Sequence, residues 1–123
     1  MTLELYGIGL CFVVVFASGA RLRRNGRPYG TIPFTLHKLA ALSAVVALAV
    51  AVLQTSRMVD LGAAPLVAAV AGGVLFLATM ASGGAMSIPN RTTPQTVALA
   101  HRLSSFVTTA ACVALLWLLF ASR

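Results

Sequence analysis

The stretch FTLHKLAALSAVVALAVAVLQ, Phe34 to Gln54, is 21 residues long and carries one formal charge, Lys38; its other ionisable side chain is His37. At ~1.5 Å per helical residue, a run of this length crosses a ~30 Å hydrocarbon core. Working outward, three further apolar runs cover about residues 3–20, 63–86 and 95–122, with charges only at edge positions such as Glu4 and Arg102. These four runs predict an all-α integral membrane protein with four transmembrane helices in a single transmembrane domain, residues 1–123. The first run is short enough to suggest a secretory signal peptide. However, no basic n-region precedes it and a basic cluster follows it, so it is read as a helix.

Composition agrees: 59% of the chain is hydrophobic and 9% charged, outside the range of ordinary soluble domains. A net charge of +7 would point to nucleic acid in a soluble protein. Here its distribution is topological, and no nucleic-acid partner is expected. Of nine Lys and Arg, seven (Arg21, Arg23, Arg24, Arg27, Lys38, Arg91 and Arg102) fall at one side of the predicted membrane. Arg57 and Arg123, with Glu4 and Asp60, fall at the other. The positive-inside rule then places both termini outside and the basic side in the cytoplasm, in the plasma (inner) membrane of a multi-pass protein. For Arg21, Arg23 and Arg24, attraction to anionic lipid is sufficient explanation. Cys11 and Cys112 lie within apolar runs, with no CxxC or haem-attachment motif, and read as small core residues.

Shifting the sequence against itself by 64 positions aligns His37 with His101, Leu39 with Leu103, Arg27 with Arg91 and Phe12 with Phe76. The same shift lays Ala17-Ser18-Gly19 on Ala81-Ser82-Gly83, without a gap. The aliphatic identities weigh little in so apolar a chain; the histidine, arginine and Ala-Ser-Gly identities weigh more. They predict two pseudo-symmetric helical hairpins, about 3–57 and 67–121. Turn chemistry agrees: Asn25-Gly26-Arg27-Pro28-Tyr29-Gly30 is a loop, Thr93-Pro94 reads as a cap followed by proline at the first helical position, and Gly62 and Pro65 bracket the third helix. Short connections make neighbours antiparallel, giving an up-down bundle with the second and fourth helices parallel on one diagonal.

The two histidines each stand in a His-basic-Leu triplet near the start of a helix, so the repeat brings them to equal depth. Two imidazoles on opposed helices are a suitable axial pair for one haem iron, which makes His37 and His101 the candidate metal ligands. Space for a macrocycle would come from small residues on the same faces, Ala40, Ala41 and Ala44 beyond His37 and Ser104, Ser105 and Thr108 beyond His101, and from Gly19 and Gly83 on the flanking helices. Close helix packing in lipid favours the same small residues. The haem propionates would seek Arg27, Arg91, Lys38 and Arg102; simple snorkelling to headgroups stands as an equal alternative for Lys38 and Arg102. A chlorin could use the same histidines, although magnesium usually takes one axial ligand where this chain offers two.

These residues resemble membrane-embedded b-type cytochromes, in which bis-histidine haem b is held in a four-helix transmembrane bundle and neighbouring glycines make room for the ring. The resemblance spans the chain in architecture, but its motif is only two histidines among small residues. It departs in number: quinol- and ascorbate-linked cytochromes of this kind commonly carry four ligand histidines for two haems, and this chain could ligate one. The resemblance implies electron transport, either a relay between quinol and a redox partner protein or a haem-bearing membrane anchor subunit. Bis-histidine iron leaves no open position for oxygen chemistry, and no self-contained catalytic site is expected. Two rivals stand: a small transporter, for which an intramembrane carboxylate is the usual signal, and a non-haem structural or assembly subunit. The small-residue faces would also suit a homo-oligomer. Tyr6, Tyr29 and Trp117 read as interfacial aromatics.

Overall fold

The computed structural model describes residues 2–88 and 92–121. These form four α-helices in chain order, α1 (Thr2–Asn25), α2 (Thr31–Met58), α3 (Ala63–Met86) and α4 (Gln95–Ala121). All four are long and apolar enough to cross a membrane, and the chain is an all-α, multi-pass membrane protein.

The expected limits of α3 hold, as does the expected start of α4, whose expected end at residue 122 lies outside the described residues. Both α1 and α2 run further than their apolar cores: α1 continues through Arg21 to Asn25, and α2 starts at Thr31 and ends at Met58. Loss of apolarity marks where hydrocarbon ends, whereas a helix ends where its backbone is capped. Gly26 supplies that cap for α1. Its φ is +68°, a left-handed conformation that glycine adopts without Cβ strain, and its N–H donates to the Leu22 carbonyl at 3.2 Å. At the start of α2 the Phe34 N–H donates to the Gly30 carbonyl at 3.2 Å. Gly62 is the N-cap of α3. Pro94 stands one place earlier than expected: its carbonyl accepts the Ala98 N–H at 3.3 Å, so it caps α4 rather than opening it.

The chain divides into two compact units, residues 1–54 and 55–123. In the first, the five-residue turn 26–30 folds α2 back against α1. In the second, α3 and α4 pack along their lengths; the Thr108 hydroxyl donates to Thr79 Oγ1 at 3.0 Å, and Thr79 in turn donates to the Leu75 carbonyl.

One stripe of α2 and one of α4 are buried. In α2 the buried residues are Ala40, Ala44, Leu48, Ala51 and Thr55; in α4 they are Thr108, Cys112, Leu115 and Leu119. Spacings of four and three keep such residues on one face. The last four positions in α2 lie 64 residues before the four in α4, so the repeat inferred from a few polar identities is also a repeat of burial. Ile8 and Gly72, also 64 apart, are both buried. The other faces present large apolar side chains, among them Leu36, Leu39, Leu42 and Val46 on α2 and Leu99, Leu103 and Phe106 on α4, as a lipid-facing surface requires.

Ala44 is fully buried and has no room for a larger side chain of its own. Ala44→Leu is expected to destabilise the fold by about 1–3 kcal/mol through overpacking, whereas Leu42→Ala, on the exposed face, should change stability by less than about 0.5 kcal/mol. Thermal unfolding in detergent measures both, and equal effects would contradict the assignment of the inward face.

Candidate functional site

His37 and His101 are each the seventh residue of their helix, at the head of the buried stripe and about one turn before its first small residues. Both rings are half-buried and both turn towards the preceding helix of their own hairpin.

In the first hairpin, His37 Nδ1 lies 2.9 Å from the Val15 carbonyl oxygen and 3.1 Å from Ser18 Oγ. In the second, His101 Nδ1 lies 3.0 Å from the Thr79 carbonyl oxygen and 3.0 Å from Ser82 Oγ. Every partner is 64 residues from its counterpart. A carbonyl oxygen can only accept, so each Nδ1 carries a proton and donates it. The serine hydroxyls spend their own protons on backbone carbonyls, Ser18 on Val14 at 2.6 Å and Ser82 on Thr79 at 2.8 Å, which leaves their oxygens as second acceptors for the imidazole N–H. In a neutral imidazole with Nδ1 protonated, Nε2 holds the lone pair. Metal-ligating histidines have this arrangement, with one ring nitrogen donating to a carbonyl or carboxylate that fixes the ring and the other directed at the metal.

Gly19 and Gly83 make this geometry accessible. A Cβ at Gly19 would stand 3.2 Å from His37 Cε1, and one at Gly83 would stand 2.9 Å from His101 Cε1 and 3.4 Å from its Nδ1. The space expected to admit a macrocycle is thus used by the edge of each imidazole. In both hairpins the Ala-Ser-Gly triplet works as a unit: serine accepts from the ring, and glycine lets the ring approach the helix.

The other expected site residues are distributed as follows. Ala41 and Ser105 lie one turn beyond the histidines, both half-buried, with Ser105 Oγ donating to the His101 carbonyl at 2.7 Å. Ser104 donates to the same carbonyl at 3.0 Å. Lys38 is exposed, its Nζ 4.1 Å from the centre of the Phe34 ring. Arg27 is exposed beside Tyr29, and Arg102 is exposed on α4. Arg91 lies outside the described residues. Tyr29 is half-buried and stacks on Phe34. Cys112 is buried and Cys11 half-buried, both as free thiols.

Sequence reasoning missed the roles of Ser18, Ser82 and the carbonyls of Val15 and Thr79. The recurrence of Ala-Ser-Gly was the available signal; it was used to find the repeat, not to give the serine a partner. Among the described residues no group of three or more His, Cys, Asp or Glu comes together to hold a metal ion. No protein family, curated protein or solved structure matches the chain.

The glycine contacts predict an order of effects. Gly83→Ala, with its Cβ inside contact distance of the imidazole, should destabilise by about 1–3 kcal/mol and by more than Gly19→Ala, as read by thermal unfolding. Nitrogen-15 NMR of labelled histidine should show both imidazoles protonated at Nδ1 in the neutral form. A dominant Nε2–H form at either site would refute the carbonyl-directed geometry.

Proposed function

We propose that this chain is a membrane haem b protein in which His37 and His101 are the two axial ligands of one haem, serving electron transport. The observation that carries the reading is the repeated Nδ1–H to backbone carbonyl hydrogen bond, which selects the tautomer with its lone pair on Nε2 at both positions. The donor set supports it further. Two imidazoles are too few to hold a metal ion alone, but they complete the coordination of an iron that brings four equatorial nitrogens with it. When bound, such a haem would supply one-electron transfer chemistry, with His37 and His101 holding it.

The protein's own residues supply position and electrostatics. Val15, Ser18, Thr79 and Ser82 fix the imidazole planes; Gly19 and Gly83 admit them; Ala41 and Ser105 stand on the ligand faces without bulk. Arg27, Lys38 and Arg102 are cations at the histidine-bearing ends of the hairpins, suited to propionate carboxylates or to lipid headgroups, and Arg91 is the repeat counterpart of Arg27 in the sequence. By the positive-inside rule those ends face the cytoplasm and both termini lie outside, in the plasma (inner) membrane. A single haem near one side cannot carry electrons across the whole bilayer. The role proposed is therefore a relay between membrane quinol and a redox partner protein, or a haem-bearing anchor subunit.

The same hydrogen bonds favour a second reading. Interhelical bonds from polar side chains contribute to helix association in lipid, so each histidine could act only as a clamp between the helices of its hairpin, in a structural subunit without haem. Asparagine separates the two readings, because its amide N–H can take the place of Nδ1–H while nothing replaces Nε2.

Purified protein expressed with ample haem should give a low-spin b-type reduced-minus-oxidised spectrum and about one haem per chain by pyridine haemochrome. His37→Asn and His101→Asn should each abolish tight haem binding and leave the thermal unfolding of the apoprotein little changed. A colourless wild-type protein, destabilised by His→Ala but not by His→Asn, would establish the clamp reading instead.

A further inference from the structure

The turn between α1 and α2 holds a ring stack whose two aromatic positions are not aromatic at the corresponding places 64 residues on. Arg27 Cζ lies 5.5 Å from the centre of the Tyr29 ring. Tyr29 stacks on Phe34 with centroids 5.8 Å apart and an interplanar angle of 17°, and Lys38 Nζ lies 4.1 Å from the centre of Phe34. Lys38 reaches that ring because it follows Phe34 by four residues, one helical turn. The result is a ladder of cation, ring, ring and cation. Each cation sits against an aromatic face, which restricts a long side chain that would otherwise spread over many rotamers.

The surrounding charge is of one sign. Residues 21–38 contain five cations, Arg21, Arg23, Arg24, Arg27 and Lys38, and no acid; the only acids of the chain are Glu4 and Asp60. The three arginines of α1 are exposed, as are Arg27 and Lys38. Since α1 and α2 are long enough to span the hydrocarbon, the turn joining them lies at the level of lipid headgroups, where the abundant anion is a phosphodiester. In the second hairpin the counterparts of Tyr29 and Phe34 are Thr93 and Ala98, so the paired rings of this turn are not repeated there.

We propose that the α1–α2 turn is a binding site for the headgroup of an anionic phospholipid, its phosphodiester held by Arg27 and Lys38 on the Tyr29–Phe34 stack. This assignment is independent of haem. A propionate carboxylate offers the same anionic oxygen chemistry, and the test separates the two.

The test is native mass spectrometry of the detergent-purified whole chain titrated with phosphatidylglycerol or with phosphatidylcholine. Phosphatidylglycerol is expected to be retained about tenfold better, the order given by charge-assisted contacts at an interface. Tyr29→Leu with Phe34→Leu, which keeps every charge, should reduce that preference by about fivefold. Lys38→Gln should do the same, and Arg102→Gln should change it less than about twofold. Circular dichroism verifies that each variant retains its helices, and Lys38→Arg should restore the preference.

Equal retention of the two lipids overturns the proposal. So do equal losses from Lys38→Gln and Arg102→Gln with no loss from the ring substitutions, since that pattern describes diffuse charge. The titration is repeated on protein carrying both His37→Asn and His101→Asn. A preference that persists there supports a lipid site whether or not the haem reading stands; a preference seen only there, and lost in haem-loaded wild type, assigns the cations to propionate and overturns the lipid site.

Discussion

The arrangement depends on one constraint: an imidazole placed within a membrane-spanning segment must have its N–H satisfied by protein, because hydrocarbon offers no acceptor. In this chain the acceptor is a backbone carbonyl of the preceding helix. That choice has consequences at three levels. Locally it places the proton on Nδ1 and the lone pair on Nε2. In packing it demands that the preceding helix come close, which is why a glycine lies opposite each ring. In sequence it requires a serine one residue before that glycine and an acceptor carbonyl three residues before the serine, and both hairpins meet that requirement with the same spacing.

The carbonyls of Val15 and Thr79 belong to helical residues and already serve their own helices. Beside its helical N–H, each of these oxygens is also approached by the imidazole and by the neighbouring serine hydroxyl, so its two lone pairs are shared among the donors. Side-chain identity is therefore free at these positions, and the two hairpins do differ there, Val15 in one and Thr79 in the other. A comparison of side chains alone finds no relation between valine and threonine. The relation is in the backbone, which is why the hydrogen bond itself was illegible in the sequence although the histidine, serine and glycine around it were legible. The helix count and the hairpin repeat could be read for a different reason: apolar length and a 64-residue offset survive any detail of packing. The ends of α1 and α2 could not, since the Arg21–Arg24 run ends the apolar stretch but continues as good helix former until Gly26 turns the chain. The pairing of Lys38 with Phe34 is present in the sequence as a four-residue spacing, but a lysine at a membrane edge already has a sufficient explanation in snorkelling, so the spacing alone does not single it out.

The two hairpins are alike in how they hold their histidines and unlike in what surrounds them. Beyond His37 the inward positions are Ala40, Ala41 and Ala44; beyond His101 they are Ser104, Ser105 and Thr108. All three hydroxyls are engaged, two with the His101 carbonyl and one with Thr79. They therefore add dipoles near His101 without adding unmet donors. In a medium of low dielectric, oriented hydroxyl dipoles act more strongly than they would in water. The two similarly held imidazoles thus have unlike neighbours, alanines beyond His37 and hydroxyls beyond His101.

That asymmetry bears on what a cofactor between such ligands would experience. On the haem reading, both imidazoles would meet the cofactor with the same kind of partner behind them, an Nδ1–H donated to a backbone carbonyl. If a haem is bound as proposed, its potential would respond to the hydroxyl dipoles of Ser104, Ser105 and Thr108 separately from the ligand bonds. Repetition of a hairpin fixes how the two imidazoles are held, and divergence of the positions one and two turns away leaves their surroundings free to vary. A chain of 123 residues can in this way keep a strict requirement, two identically held imidazoles, while adjusting the softer one around it.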